Sequence, residues 1–255
     1  MEPPFPEISE RTRIKVPEAT ALFWTIKVLT TGMGETTSDF FVHRVGPGPT
    51  VPVAGLVLVV CLWLQFRAPR YVAWSYWLAV VMVAVFGTMV ADALHIGFGV
   101  PYSVSTPFFA IGLVLVFATW YTAERTLSIH TISTPRREAF YWAAVMATFA
   151  LGTAAGDLTA VTLHLGYLSS GFLFTAAIAL PALTYGLTRR NAVLAFWAAY
   201  VLTRPLGASY ADWLGVSHAR GGLGLGTGLI SLILAAGIAG LVILLTLRPV
   251  GPTDD

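Results

Sequence analysis

Long apolar segments, separated by short polar connections, make up nearly the whole chain. Their lengths suit α-helices that cross a bilayer, for which about 20 residues are needed. Eight segments are predicted, at residues 19–41, 51–66, 71–95, 106–123, 139–163, 168–187 and 192–214, with the eighth opened by the glycine run 221–228 and ending near residue 247. The pattern predicts an all-α integral membrane protein with eight transmembrane helices.

A polar frame recurs in the odd-numbered segments: a glycine, four residues, then an aspartate. The four aspartates are Asp39, Asp92, Asp157 and Asp212, spaced by 53, 65 and 55 residues, with two segments in each interval. This self-similarity predicts four two-helix repeats, at about residues 18–66, 71–123, 139–187 and 192–247. Because each repeat crosses the bilayer twice, the repeats are expected to be parallel and not inverted.

The polar connections predict the orientation. Basic residues concentrate on one side of the predicted spans, as in the links with Arg67 and Arg137, so both termini are expected in the cytoplasm. Residues 1–17 hold four prolines and mixed charges and predict a flexible or interfacial tail. A single membrane domain, residues 18–248, follows, and residues 249–255 form a second short tail.

Composition agrees with a membrane protein. The chain has 255 residues, of which 56% are hydrophobic and 11% charged, whereas a soluble domain carries about 25% charged residues. The lipid bilayer is therefore the expected environment. The net charge is only +2 and the basic residues lie between spans, which excludes nucleic acid as a partner. The single cysteine, Cys61, excludes an intramolecular disulfide.

Ionisable residues inside a bilayer are costly and usually functional. Five acids lie within or at the edge of the predicted spans: Glu35, Asp39, Asp92, Asp157 and Asp212. Lys27 and Arg204 share these spans and are the candidate counter-ions. If all seven groups are ionised, the interior carries three uncompensated negative charges, which bound cations, protons or water must balance. The acids are expected to converge in a cation-binding site.

Carboxylate oxygens suit hard divalent ions such as magnesium, manganese or calcium. His43, His95 and His164 follow three of the aspartates by four, three and seven residues, which returns them to nearly the same face of a continuous helix. Mixed aspartate and histidine ligands would favour manganese or zinc. A divalent metal ion is the expected ligand, with these histidines as further candidate ligands. Anchoring at the membrane interface is the alternative for the histidines.

These features predict a transporter or channel-like carrier of a divalent metal cation of the manganese, zinc or magnesium class. One alternative is a non-transporting structural or partner-binding membrane protein whose acids pair with Arg204 and Lys27. A proton-coupled solute transporter is another, because buried carboxylates can load protons. No recognised catalytic motif accompanies the acids, so an enzyme is not expected. The glycine of each frame is expected to permit close helix packing.

Five short sequence motifs are typical of a known family: Lys15–Glu18, Glu124–Ile132, Arg136–Trp142, Ala150–Leu158 and Leu202–Ala208. With these motifs the chain resembles the bacterial "uncharacterised membrane-anchored protein" repeat family over nearly its whole length. The resemblance implies a bacterial inner-membrane location and a bundle built from repeats. It carries over no catalytic or binding residue.

Overall fold

A computed structural model describes residues 13–247, which contain eight long helices and no β-strand. The helices are α1 (Ala21–Val45), α2 (Pro47–Arg67), α3 (Ala73–Asp92), α4 (Tyr102–Glu124), α5 (Pro135–Asp157), α6 (Tyr167–Thr188), α7 (Ala192–Gly215) and α8 (Thr227–Leu247). The predicted segments correspond to these helices, with ends that differ by a few residues.

Six of these helices, α2 to α6 and α8, are long and apolar enough to cross a bilayer. The protein is therefore a multi-pass membrane protein. The other two, α1 and α7, have 25 and 24 residues and are similar in length. They carry most of the interior charges, among them Lys27, Glu35 and Arg204, which lowers their apolar character.

Four helices form an inner ring. Helix α1 packs against α3 and α7, and α5 packs against the same two helices. The four others lie outside this ring: α2 packs mainly on α3, α4 on α5, α6 on α7 and α8 on α1. Each outer helix therefore covers the inner helix that comes next around the ring. The outer helices separate the inner helices from the exterior of the bundle.

Burial separates the two sets of helices. In the most apolar stretches of α3 and α5, 56% of the residues are buried, against 11% to 22% in the outer helices. The outer helices expose large apolar side chains, for example Leu187 at 85% and Leu232 at 70%. Such a surface is stable against lipid tails and not against water.

Aromatic side chains close the ring at the amino-terminal end of the inner helices. Phe23, Tyr76, Tyr141 and Phe196 each lie sixteen residues before the aspartate of their helix, and we name them the aromatic floor. The Tyr76 and Tyr141 hydroxyl oxygens are 2.5 Å apart, and the Phe23 and Phe196 ring centroids are 6.1 Å apart. The floor fills the bundle interior at that end.

The segment before α1 corrects the prediction of a flexible or interfacial tail, as far as it is described. Lys15 and Val16 are buried, because Lys15 Nζ bonds Glu138 Oε2 at 2.6 Å and the Phe66 carbonyl at 3.0 Å. Gln65 Nε2 also donates to Glu138, at 3.1 Å. This segment is held by side chains of α2 and α5. Residues 1–12 and 248–255, which include most of both predicted tails, lie outside the described residues.

The glycine run 221–228 was predicted to open the eighth span, but most of it is a loop. The N–H groups of Leu223 and Leu225 donate to the Trp213 and Leu214 carbonyls, at 2.7 and 3.1 Å. These bonds satisfy carbonyls that the end of α7 leaves free. Three glycines of the loop adopt positive φ, a conformation that favours glycine: Gly221, Gly224 and Gly226. Helix α8 begins after them.

Candidate functional site

The glycines of the repeated frame set the spacing of the inner ring. Each one contacts a residue on the next inner helix: Gly34 contacts Ala84, Gly87 contacts Phe149, Gly152 contacts Arg204 and Gly207 contacts Thr31. A methyl group added at Gly34 would lie 2.5 Å from Cβ of Ala84, well inside van der Waals contact. The predicted packing role of these glycines is confirmed.

The residue after each glycine lies four positions before the aspartate. On an α-helix this separation returns to the same face, about 40° away. In α1, α3 and α5 this residue is Glu35, Thr88 and Thr153. All three are buried, and they meet at the centre of the ring.

Arg204 of α7 joins these three residues. Its Nη2 atom lies within hydrogen-bond distance of Glu35 Oε2 at 2.5 Å, of Thr153 Oγ1 at 2.6 Å and of the Thr88 hydroxyl, and its two hydrogens are shared among these three acceptors. The guanidinium is fully buried, and Glu35 is only 4% exposed. One nitrogen atom of α7 therefore links all three other inner helices, and Arg204 lies where its predicted role as a counter-ion requires.

Three acids approach one another next to this ion pair, and one of them is the Glu35 of the pair itself. Glu35, Asp39 and Asp92 can each offer a carboxylate oxygen such that all three oxygens lie within 4.8 Å of one another. Glu35 is buried, whereas Asp39 and Asp92 are half-buried. Since hard divalent cations bind oxygens at about 2.0 to 2.6 Å, oxygens on opposite sides of one ion are about 4 to 5 Å apart. The three oxygens fit such a ligand sphere.

Asp157 and Asp212 lie in the same region without belonging to that group of three. Both carboxyls are within electrostatic reach of Glu35 and Asp39. The Tyr102 hydroxyl lies beside Asp157. Asp212 is only 6% exposed, and its Oδ1 atom has no hydrogen-bond partner among the described residues. We call the five acids the carboxylate cluster.

Lys27 is separate from the cluster. Its Nζ atom lies 3.9 Å from the ring centroid of Phe149 and 4.1 Å from that of Tyr200. The side chain is buried, and within residues 13–247 Nζ has neither a hydrogen-bond partner nor a salt bridge. Of the two predicted counter-ions, only Arg204 contacts an acid directly.

The three candidate histidines have other contacts. His43 is exposed, and its Nδ1 is 2.7 Å from the Asp39 backbone carbonyl oxygen. The His95 ring stacks on Tyr102 at 3.7 Å. His164 is exposed, in a left-handed backbone conformation beyond α5. None of them belongs to the group of acids that can share a metal ion.

A change of helix type explains two of these placements. The α-helical hydrogen bonding ends at Asp92 and Asp157, and π-helical turns follow at Ala93–Gly97 and Leu158–Thr162. A π-turn has more residues per turn than an α-helix. The spacing that would return a histidine to the aspartate face of a continuous α-helix therefore does not apply beyond these aspartates.

At the rim of the cluster, Arg220 contributes a further positive charge. Its Nη2 donates to the Tyr167 hydroxyl at 3.0 Å. Partial burial acts to lower the pKa of Arg220, but the nearby Tyr167, Asp39 and Asp212 side chains together raise that pKa above its ordinary value. Arg220 therefore stays charged beside the acids.

Sequence reasoning missed Thr88 and Thr153 as partners of Arg204. The signal was present, because both threonines occupy the place that Glu35 occupies in the first repeat, directly after the glycine. Tyr102 and Tyr167 were also missed. They are the first residues of outer helices, and nothing in the sequence indicates which aspartate each outer helix reaches.

Comparison with known proteins identifies the family of this chain. A family model described as a repeat of unknown function, DUF347, matches at residues 22–71, 75–126, 140–191 and 195–249. No curated protein and no solved structure matches the chain. Each of the four matches covers one inner helix and the outer helix after it, and together they span most of the sequence. The chain therefore belongs to the family of proteins built from this repeat.

Proposed function

We propose that the chain crosses a bacterial inner membrane eight times, as four parallel two-helix repeats with both termini in the cytoplasm. Three observations support this arrangement. The repeat model matches four times, each frame glycine contacts the next inner helix at an equivalent position, and basic residues concentrate in the connections at one end. The carboxylate cluster then faces the outer side of the membrane.

Within this membrane we propose that the protein is a carrier of a divalent metal cation. The observation that carries the proposal is the approach of three carboxylates, Glu35, Asp39 and Asp92, whose oxygens lie within 4.8 Å of one another. Arg204 pairs with Glu35, which leaves Asp39 and Asp92 to repel each other unless a cation or protons neutralise them. The buried Asp212, whose Oδ1 has no hydrogen-bond partner among the described residues, adds a nearby negative charge that attracts a cation.

The ligand atoms favour a hard cation. The group that can share an ion consists of carboxylates alone, and no histidine belongs to it. Ligand sets made only of oxygen suit magnesium, manganese and calcium, whereas zinc prefers histidine and cysteine. We therefore expect magnesium or manganese rather than zinc as the cargo.

The burial pattern favours a carrier over an open channel. Asp39 and Asp92 are half-buried, so the cluster is accessible from the carboxyl-terminal end of the inner helices. On the other side lie buried Arg204, buried Lys27 and the aromatic floor. A cation that enters the cluster meets the positive charge of Arg204, the side chain of Lys27 and packed rings. Release to the other side then requires a second conformation.

The test is manganese uptake into liposomes that contain the purified protein. We expect uptake by the wild type and at least about a tenfold loss in the Asp92→Asn/Asp157→Asn double variant, because one candidate ligand and one neighbouring negative charge are removed. Glu18→Gln, which changes an exposed acid far from the cluster, is the matched control and should retain uptake. Equal uptake by wild type and double variant, or uptake no faster than in empty liposomes, would contradict the proposal.

A structural or partner-binding role is the second candidate. It is favoured by the ion pair itself, since Arg204 links three other helices through Glu35, Thr88 and Thr153. This role predicts that Arg204→Met melts at a lower temperature than the wild type and that neither protein moves manganese. Manganese uptake by the wild type, measured on the same preparations, separates the two candidates.

A further inference from the structure

Lys27 is a buried ionisable group that neither the ion pair nor the carboxylate cluster uses. Its side chain is 1% exposed, and its Nζ atom has no hydrogen-bond partner within residues 13–247. A buried amine is stable only if its surroundings stabilise the protonation state that it adopts. The contacts of Lys27 therefore indicate which forms it can adopt.

Those contacts suit two forms of the amine. The Phe149 and Tyr200 rings, with centroids 3.9 and 4.1 Å from Nζ, stabilise an ammonium by cation–π attraction. Burial without a carboxylate partner favours the uncharged amine instead. The guanidinium of Arg204, on α7, also repels an ammonium. Because these influences oppose each other, the charges nearby decide whether Lys27 is protonated.

The titratable and charged groups around Lys27 come from every inner helix. Helix α7 contributes Arg204 and Tyr200, and Glu35 lies two turns further along α1. Tyr141 of α5 and Tyr76 of α3 lie one turn away on the side of the aromatic floor. At the same level of the frame, twelve residues before each aspartate, the other inner helices carry Val80, Val145 and Tyr200. Of the four residues at this level of the inner helices, Lys27 is therefore the one that is basic.

We propose that Lys27 exchanges a proton with solvent in response to the cation in the carboxylate cluster. When the cluster holds no cation, its negative charge favours the ammonium. When a divalent cation binds, the ammonium loses a proton: one N–H bond breaks, the electron pair stays on Nζ, and the proton passes to water. This inference rests on the proposed function, and it adds that a proton leaves the protein when the cation binds.

The expected coupling is large enough to measure. Glu35 and Lys27 are eight residues apart on one helix, which is about 12 Å along its axis. At this distance and an effective dielectric constant of about 20, a divalent cation and an ammonium repel each other enough to change affinity on the order of a hundredfold. Coupling is reciprocal, so a proton on Lys27 weakens cation binding by the same factor.

The test is calorimetric titration of the purified protein with manganese chloride in buffers of different ionisation enthalpy, which counts the protons released per ion. Lys27→Met cannot carry the proton, and Lys27→Arg cannot lose it. We expect both variants to release fewer protons than the wild type, by up to one per ion. We also expect Lys27→Met to bind manganese about a hundredfold more tightly than Lys27→Arg.

The variants also separate this inference from the proposed function. A wild type that binds no manganese overturns both. Binding with the same proton count and affinity in all three proteins overturns the role of Lys27 alone. Melting temperatures identify a variant that does not fold, and Lys27→Gln then takes the place of Lys27→Met as the uncharged variant.

Discussion

At the scale of single residues, Arg204 and Glu35 form the most consequential contact. Both side chains are almost completely buried, and Glu35 Oε2 lies 2.5 Å from Arg204 Nη2. Removing one partner of a buried ion pair leaves an uncompensated charge, which destabilises a protein by about 3 to 5 kcal/mol. Removing both partners avoids that charge.

The first prediction concerns this pair. We expect Arg204→Met and Glu35→Gln each to lower the free energy of unfolding by about 3 kcal/mol or more. The double variant Glu35→Gln/Arg204→Met should lose less than the sum of the two, because neither charge is left unpaired. Denaturant titration of the purified proteins measures these differences. Additive losses would show that the two side chains do not stabilise each other.

The sequence allowed the residue types at the site to be predicted more fully than their partners. Five acids and two bases could be assigned to the spans from the pattern alone. Whether Lys27 or Arg204 would contact an acid could not, because this depends on which helix lies opposite each base. In the fold, Arg204 lies opposite Glu35, whereas Lys27 lies opposite two aromatic rings.

At the scale of helices, the frame glycines determine how closely the inner helices approach. A methyl group at Gly207 would overlap the Thr31 hydroxyl and lie 2.8 Å from the Val28 carbonyl oxygen. The Val28 carbonyl cannot move without displacing α1, and the Thr31 hydroxyl is held by its contacts with the Val28 and Thr203 carbonyls. In contrast, Gly112 of the outer helix α4 has no atom within 4 Å of an added methyl group.

The second prediction uses this contrast. Gly207→Ala should destabilise the protein by about 1 to 3 kcal/mol, the usual effect of overpacking. Gly112→Ala is the matched control and should be neutral or stabilising by about 0.5 to 1 kcal/mol, because alanine favours a helix. Melting temperatures of the two variants and the wild type measure the difference. A Gly207→Ala variant as stable as Gly112→Ala would mean that the inner helices are not in close contact.

The helix scale also shows where sequence patterns lose their predictive value. The apolar segments predicted the eight helices because apolar length decides which stretch can lie in a bilayer. The histidine positions were assigned by assuming an unbroken α-helix, and the π-turns after Asp92 and Asp157 change that geometry. The buried position of Lys15 depends on Glu138, which is 123 residues away in the chain.

At the scale of the whole molecule, similar repeats surround a site that is not symmetric. The four frame glycines make equivalent contacts around the ring. In contrast, the residue after the glycine differs among the repeats: it is Glu35, Thr88, Thr153 or Ala208. The repetition was visible in the sequence, where a bundle with converging aspartates is the simplest packing and a row of helices would satisfy the same pattern. Contacts between α1 and α7 close the ring.

The function proposed for the whole molecule depends on the binding of a divalent cation to the carboxylate cluster. The most direct measurement is elemental analysis of purified protein after equilibration with manganese and removal of free metal. We expect about one manganese ion per wild-type chain, as a shared carboxylate site would hold, and close to none in the Asp92→Asn/Asp157→Asn variant. Equal metal content in the two folded proteins, or no manganese in the wild type, would contradict the proposal.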